Sequence, residues 1–138
     1  MTVHTGLLRL ETQGDGAIVD LTEGVEAVVR QSSVEHGAVC VFVTGSTAAV
    51  TTMECEPGGV ADLQAALDRL VPREGRYDHN VRNDDSNAHA HLRASLVGPS
   101  ETVPLIAGRL VLGTWQQLVL LDFDDRPRHR EVHVQVLS

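Results

Sequence analysis

Residues 131–137, Glu-Val-His-Val-Gln-Val-Leu, alternate polar and apolar side chains and decide the fold class. A period of two places the three valines on one face of an extended strand and the polar side chains on the other. An apolar run at residues 116–123 comes before it, with the turn-forming residues 124–127 in between. We therefore predict a final pair of β-strands with one buried face.

Upstream of this pair, the pattern predicts two helices among further strands. Residues 3–10 are typical of a strand, and Gly14-Asp15-Gly16 predicts a turn back into residues 17–19. One helix begins at the capping box formed by Asp20 and Glu23 and stops before Gly37; the other begins near Pro57 and ends at Pro72. The remaining apolar segments, several of them β-rich, are residues 38–43, 48–52, 92–97, 102–107 and 110–112.

Two helices among seven or eight strands predict an α+β fold with a mostly antiparallel sheet. The length of 138 residues fits a single domain spanning residues 1–138. No Gly-x-Gly-x-x-Gly follows a strand, and the element order does not resemble a doubly wound nucleotide-binding fold.

Composition excludes several functional classes. The net charge is −8, and all 11 basic residues are arginine, so catalysis through a lysine Schiff base and a P-loop lysine are both excluded. An acidic surface repels nucleic-acid phosphates, and no apolar run is long enough to span a bilayer. We expect a cytoplasmic protein without a signal peptide, in which the two cysteines, Cys40 and Cys55, form no disulfide framework.

The polar segment at residues 73–88 and its exit contain the densest cluster of functional groups. These are Tyr77, His79, Asp84, Asp85, Asn87, His89 and His91. Imidazole and carboxylate groups bind divalent transition metals and also act as acids and bases near neutral pH. The spacing matches no zinc signature, so a solvated loop rich in turn-formers remains the alternative interpretation.

Other candidates carry weaker signals. Glu54 follows an apolar strand and is a candidate base, ligand or helix cap, whereas Asp62 lies in the first turns of the second helix. We interpret Cys55 as an inert thiol, since nothing nearby in sequence lowers its pKa. Arginines at positions 126, 128 and 130 suit phosphate or carboxylate partners, with salt bridges to Asp124 and Asp125 as the alternative.

Several motifs together resemble the YjbQ-like family of small bacterial and archaeal proteins. They are Asp20-Leu21-Thr22, Thr47-Ala48-Ala49, Tyr77-x-His79, Ala90-His91-Leu92, Ala94-Ser95-Leu96, Gly98-Pro99-Ser100, Val103-Pro104, Gly108-Arg109-Leu110 and Leu112-Gly113-Thr114-Trp115-Gln116. The resemblance covers nearly the whole chain. It implies an α+β fold with a mostly antiparallel β-sandwich and two main helices, usually assembled as a homotrimer.

The resemblance also implies a function. Some family members are described as having a weak, secondary thiamine-phosphate synthase activity, which joins a pyrimidine methyl diphosphate to a thiazole phosphate and releases pyrophosphate. Such a transferase needs phosphate-binding groups and stabilisation of the leaving diphosphate, with a divalent metal, Mg²⁺ or Zn²⁺, as the implied cofactor.

Residues are carried over from the family one by one. His79 and His91 stand at two histidine positions as implied metal ligands, and His79, Glu54 and Asp62 are the implied catalytic residues. The implied substrate-binding residues are Ser95, Thr114, Trp115, Gln116, Arg128 and Arg130. Asp122 stands where the family commonly has glutamate.

One departure from the family pattern bears on function. Gly45, in Gly45-Ser46-Thr47-Ala48, replaces a family histidine, so three histidines cannot form the usual metal site. His89, Asp84 or Asp85 is a candidate substitute. Two hypotheses follow: an enzyme acting on a small phosphorylated compound, or a non-catalytic trimer that binds a small anion or a protein partner with a degraded site.

Overall fold

The computed structural model describes residues 1–138 as two antiparallel β-sheets and four α-helices. The strands are β1 (Val3–Thr12), β2 (Ala17–Asp20), β3 (Gly37–Val43), β4 (Ala48–Met53), β5 (Ser100–Ile106), β6 (Arg109–Leu110), β7 (Gln117–Asp122) and β8 (Arg128–Leu137). The helices are α1 (Thr22–Ser32), α2 (Pro57–Leu70), α3 (Asp78–Asn83) and α4 (Ala88–Val97). This architecture confirms the α+β fold class. None of the helices is long and apolar enough to cross a membrane.

The strands divide into a five-stranded sheet, in the order β1-β8-β3-β5-β6, and a three-stranded sheet, in the order β2-β7-β4. The predicted pairing of the last two long strands is wrong, because β8 pairs with β1 and β3 whereas β7 pairs with β2 and β4. The predicted turn that pairs the first strand with the second is also wrong, since β1 and β2 belong to different sheets. Each of these short turns carries the chain from one sheet to the other.

The main core lies between the two sheets and includes one face of α1. β8 contributes three fully buried valines at alternate positions, as its sequence predicts, and β7 contributes Leu118 and Leu120. The intervening residues Val119 and Leu121 point to the opposite face of the small sheet, where they meet α2 and α4. β7 is therefore buried on both faces, which explains its continuous apolar sequence.

The helices differ in part from the sequence prediction. α2 has the predicted bounds, but Leu67 is its only buried residue and Leu70 is 75% exposed. α1 ends at Ser32, before Gly37, because Ser33 takes a left-handed conformation. The polar segment contains the short helix α3, and the short apolar segment at residues 92–97, to which the sequence assigned no element type, forms part of α4.

A buried polar network joins the two sheets at the ends of β7 and β8. Arg130 forms a bidentate ion pair with Asp122, in which Nε donates to Oδ2 at 2.7 Å and Nη2 donates to Oδ1 at 2.8 Å. The same Nη2 donates to the hydroxyl of Thr47 at 2.7 Å, and the hydroxyl of Thr12 donates to Asp122. Thr47 also donates to Asp124 at 3.0 Å. β1, β7, β8 and the loop before β4 therefore meet at one charged centre.

Both aspartates of the network, Asp122 and Asp124, are fully buried. Burial alone would raise the pKa of Asp122, but the hydrogen bonds from Arg130 and Thr12 outweigh burial and hold the pKa below its usual range. Burial acts in the same direction on Asp124, and there the hydrogen bonds from Arg128, from the Asp125 amide and from Thr47 keep the pKa well below its usual range.

We predict that Asp122→Asn lowers the free energy of unfolding near pH 7 by about 3–5 kcal/mol, because it leaves Arg130 buried without a counter-charge. Since ordinary aspartate pKa values lie near 4 and the folded-state values lie lower, the stability from the two carboxylates is present above about pH 4 and is lost as the pH falls below it. Urea unfolding across this range should show the difference between wild type and variant shrinking in acid. Glu11→Gln, which removes an exposed partner of His129, is the matched control and should change little. An equally small effect of Asp122→Asn would contradict the structural role.

Candidate functional site

The polar segment folds into α3 and the start of α4, which bring its histidines together. The side chain of Asn80 accepts a hydrogen bond from the Ala88 amide at 3.0 Å. The backbone carbonyl of Asn80 accepts one from the Asp85 amide at 3.1 Å. Asp84 ends α3 in a left-handed conformation that reverses the chain. These contacts fix α3 against the first turn of α4.

His79 on α3 and His91 on α4 face each other at the centre of this candidate site. Their ring centroids lie 4.6 Å apart, and the rings are tilted by 56°. His79 Nε2 lies 3.2 Å from Oδ1 of the buried Asn87, and Asn83 Nδ2 lies 3.5 Å from His79 Nδ1. An amide oxygen only accepts and an amide nitrogen only donates, so these partners place the proton of neutral His79 on Nε2.

One carboxylate adjoins the histidine pair. Asp85 Oδ2 lies 3.7 Å from His79 Nε2, and both side chains are partly exposed. A pocket of about 270 Å³ opens beside the rings. It is lined by Tyr77, Asp78, His79, Ala88, His91 and Leu92. Apolar walls and two imidazoles suit a small flat molecule that carries a hydrogen-bonding group.

Gly45 packs directly against the buried arginine of the network. Its φ of +112° is a conformation that side chains rarely adopt, and a Cβ built on it would lie 2.7 Å from Nη1 of Arg130. Both the backbone and the space at this position therefore require glycine. A side chain at this position would strain the backbone and displace the guanidinium of Arg130.

The residues of one chain do not fit a closed metal centre. No three histidine, cysteine, aspartate or glutamate side chains converge, and structural zinc sites use four such ligands. Among the candidate substitutes for the missing histidine, Asp85 adjoins His79, whereas Asp84 is exposed and His89 is buried away from the pair. A two-imidazole site holds a divalent ion weakly.

The two implied catalytic carboxylates lie apart from the histidine pocket in a single chain. Glu54 is exposed just after β4, and Asp62 is exposed on α2. Neither lines the pocket of His79 and His91. The cap of α2 is the next acidic residue, Glu56, whose carboxylate accepts hydrogen bonds from the amides of Gly58 and Gly59.

The implied substrate-binding residues fall into three groups. Ser95, Thr114 and Trp115 are exposed, and Trp115 is 73% exposed. Gln116 orders the loop before β7 by accepting a hydrogen bond from the Gly113 amide at 3.0 Å and donating to Thr52 at 3.1 Å. The two arginines are engaged: Arg128 donates to Asp124 at 2.7 Å, and Arg130 is held by Asp122 and Thr47.

Some contacts were beyond the reach of sequence patterns. Asn83 lies one helical turn from His79, and a predicted helix over α3 would have indicated it as a partner. Nothing in the local sequence links Thr12 to Asp122, which is 110 residues away.

The interpretation of Cys55 as inert agrees with the structure, because burial, followed by the charges of Asp20 and Glu56, raises the pKa of its thiol.

Comparison with known proteins gives consistent relatives over nearly the whole chain. A family model described as UPF0047 protein YjbQ-like matches residues 7–138. A UPF0047 protein of Methanothermobacter thermautotrophicus is 38% identical over 136 residues, covering 99% of this chain and 93% of the relative. A UPF0047 protein of Archaeoglobus fulgidus is 40% identical over 130 residues, covering 94% of this chain and 98% of the relative.

Solved structures agree with the fold. A YbjQ-like protein of unknown function from Sulfolobus solfataricus has a TM-score of 0.90 at 30% identity, with 99% of each chain covered. A hypothetical protein from Aeropyrum pernix also has a TM-score of 0.90, at 34% identity and with 97% of this chain and 98% of the other covered.

We predict that Gly45→Ala destabilises the protein more than Gly98→Ala. Gly98 has a similar φ of +98°, but a Cβ there would meet nothing within 4 Å. Gly98→Ala should therefore lower the free energy of unfolding through backbone strain alone, by about 1–3 kcal/mol. Gly45→Ala adds the collision with Arg130. The midpoint of urea unfolding measures both variants. Equal shifts would show that Arg130 does not occupy this space in solution.

Proposed function

The chain belongs to the UPF0047 (YjbQ-like) family, and from this premise we propose that it is a cytoplasmic homotrimer that binds a small phosphorylated compound beside His79 and His91. The observation that carries the proposal is the facing pair of imidazoles at 4.6 Å, brought together from two helices inside a pocket. Neutral or charged, an imidazole N–H donates to a phosphate oxygen.

The shape of the pocket supports a compound with a flat ring. Tyr77 and Leu92 line the pocket together with the two imidazoles and supply apolar surface. Asp78 lines the pocket and Asp85 lies 3.7 Å from His79 Nε2, and their negative charge suits a ligand whose ring is cationic or carries hydrogen-bond donors. A phosphorylated pyrimidine that bears an amino group combines these properties.

A weak thiamine-phosphate synthase-type transfer is the second candidate. In that reaction the thiazole nitrogen forms a bond to the pyrimidine methylene carbon while the bond from that carbon to the diphosphate oxygen breaks. The amide partners of His79 favour this candidate, because Asn83 and Asn87 hold its ring beside His91, and the ring nitrogens of His91 make no hydrogen bond within the chain. Glu54 and Asp62 lie outside the pocket of one chain, so their catalytic roles require a neighbouring copy to supply them.

Exposed apolar side chains support the homotrimer. Val81, Leu92 and Leu96 on α3 and α4 are 62%, 46% and 69% exposed, and such groups commonly mark association surfaces. β4 also forms an edge of the three-stranded sheet, which association would cover.

We predict that inorganic pyrophosphate binds saturably to the wild-type protein and that His79→Ala weakens its binding roughly tenfold or more, as expected when a charge-assisted hydrogen bond is lost. Isothermal titration calorimetry measures the dissociation constants. His129→Ala removes an exposed imidazole outside the pocket and is the matched control. Unchanged binding in His79→Ala would discard the site.

The same variants separate binding from catalysis. If the protein is a transferase, thiamine phosphate forms from the two precursors, and His79→Ala abolishes its formation while His129→Ala does not. Binding without product assigns the non-catalytic role. Repeating the titration with Mg²⁺ or Zn²⁺ shows whether a divalent ion joins the site.

We predict a mass about three times 14.9 kDa by light scattering at micromolar concentration. Leu96→Arg should shift the protein towards a single chain, because it places a charge in the apolar patch on α4. Leu70→Arg, at an exposed leucine on α2, is the control. A wild-type mass of one chain would contradict the trimer.

A further inference from the structure

A second cavity, of about 410 Å³, lies between α2, α4 and the turn before β2. It contains His89 and Arg93, one helical turn apart on α4. His91 is two positions from each of them, about 200° around the helix, so it belongs to the opposite side of α4. The cavity is therefore separate from the pocket of His79 and His91.

His89 is a buried imidazole that no protein group satisfies. Its side chain is only 2% exposed, and neither ring nitrogen has a hydrogen-bond partner. Nδ1 is completely enclosed, whereas Nε2 is not, so Nε2 is the nitrogen that reaches the cavity. An enclosed donor without a partner costs more than an enclosed acceptor, which favours the tautomer with its proton on Nε2. A donor without a partner then faces the cavity.

Two arginines add further donors to the same space. Arg93 is buried, and it donates through Nε and Nη2 to the Val71 carbonyl at 3.0 and 2.7 Å and through Nη2 to Asp68 at 3.0 Å. Its Nη1 makes no hydrogen bond in the protein. Arg73, at the mouth, is half-exposed and pairs through Nη1 with the exposed Asp15, leaving its other nitrogens free.

We propose that this cavity binds a small oxyanion, a carboxylate or phosphate group, between Arg73, Arg93 and Nε2 of His89. Guanidinium groups and a neutral imidazole N–H all donate to such a group, and the cavity places all three around one space. Asp15, Asp68 and Glu74 also line the cavity. Asp15 and Asp68 are more than half exposed, so a bound anion displaces the weaker surface contact of Asp15 with Arg73.

Electrostatics around His89 agrees with an anion site. Burial first, then the positive charges of Arg93 and Arg73, lowers the pKa of His89, while Asp125 and Asp15 act in the opposite direction. The free protein therefore holds a neutral imidazole. A bound anion counteracts both arginine charges, so binding raises the pKa of His89.

The test is a titration with inorganic phosphate and, separately, with acetate, followed through the histidine ring signals in nuclear magnetic resonance spectra. We expect a saturable shift of the His89 signal, which His89→Gln identifies. Arg73→Gln should weaken binding roughly tenfold, corresponding to the loss of one charged hydrogen bond. Asp15→Asn should tighten it, because it frees Arg73 and because asparagine tolerates the left-handed backbone at this position.

Arg76→Gln is the matched control, since Arg76 is an exposed arginine paired with Asp78 outside the cavity. Saturation by phosphate alone assigns a phosphoryl ligand, and saturation by both anions assigns a general oxyanion site. The proposal is overturned if the His89 signal never saturates, if chloride shifts it equally, or if Arg73→Gln binds as tightly as wild type. His79→Ala should leave this binding unchanged, which separates the two sites.

Discussion

The buried pair of Arg130 and Asp122 is the interaction on which the rest of the molecule depends. It joins β8 of the large sheet to β7 of the small one, and Thr12 and Thr47 complete it from two further segments. Such a pair adds little net stability over apolar residues, but removing one partner strands a charge in the core. Its effect is therefore mainly geometric, because the hydrogen bonds from Nε and Nη2 of Arg130 fix β8 relative to β7 and to the loop before β4. The turn after β7 continues from this centre, and Ser86, just before α4, donates to Asp125 in that turn.

The same pair bears on the loop before β4. Nη1 of Arg130 lies 2.7 Å from where a Cβ at position 45 would be, so glycine fits at this position and a larger residue would collide with the guanidinium. In the candidate site His79 has two amide partners, Asn83 and Asn87, and faces His91, an arrangement suited to binding through hydrogen bonds rather than through a metal cage. On the other side of α4, His89 and Arg93 face a separate polar cavity. One ten-residue helix thus presents histidines to two different spaces.

Sequence patterns succeeded where local physics decides the outcome. The alternation in β8 predicts its buried face, and Pro57 and Pro72 bracket α2, because these signals act within a few residues. They failed where pairing depends on distant residues: both short turns change sheets, and the sequence did not predict α4, whose alanines pack beside β7. The family resemblance implied that His79 and His91 share a site, and their rings do lie 4.6 Å apart, whereas the metal-ligand role it implied for them stays a prediction. The commitment of Arg130 to Asp122 could not be read locally, since Thr12 and Thr47 lie far away in the chain.

The most direct test of this account is the state of the Arg130 guanidinium in solution. Nitrogen-15 spectra of the native protein should show a slowly exchanging Nε–H for Arg130 with separate Nη signals, as expected for a group locked in buried hydrogen bonds. A nuclear Overhauser contact between its Nη1 protons and the α-protons of Gly45 should accompany them. A single averaged, rapidly exchanging signal without that contact would show that Arg130 is free, and would contradict both the junction between the sheets and the explanation for glycine at position 45.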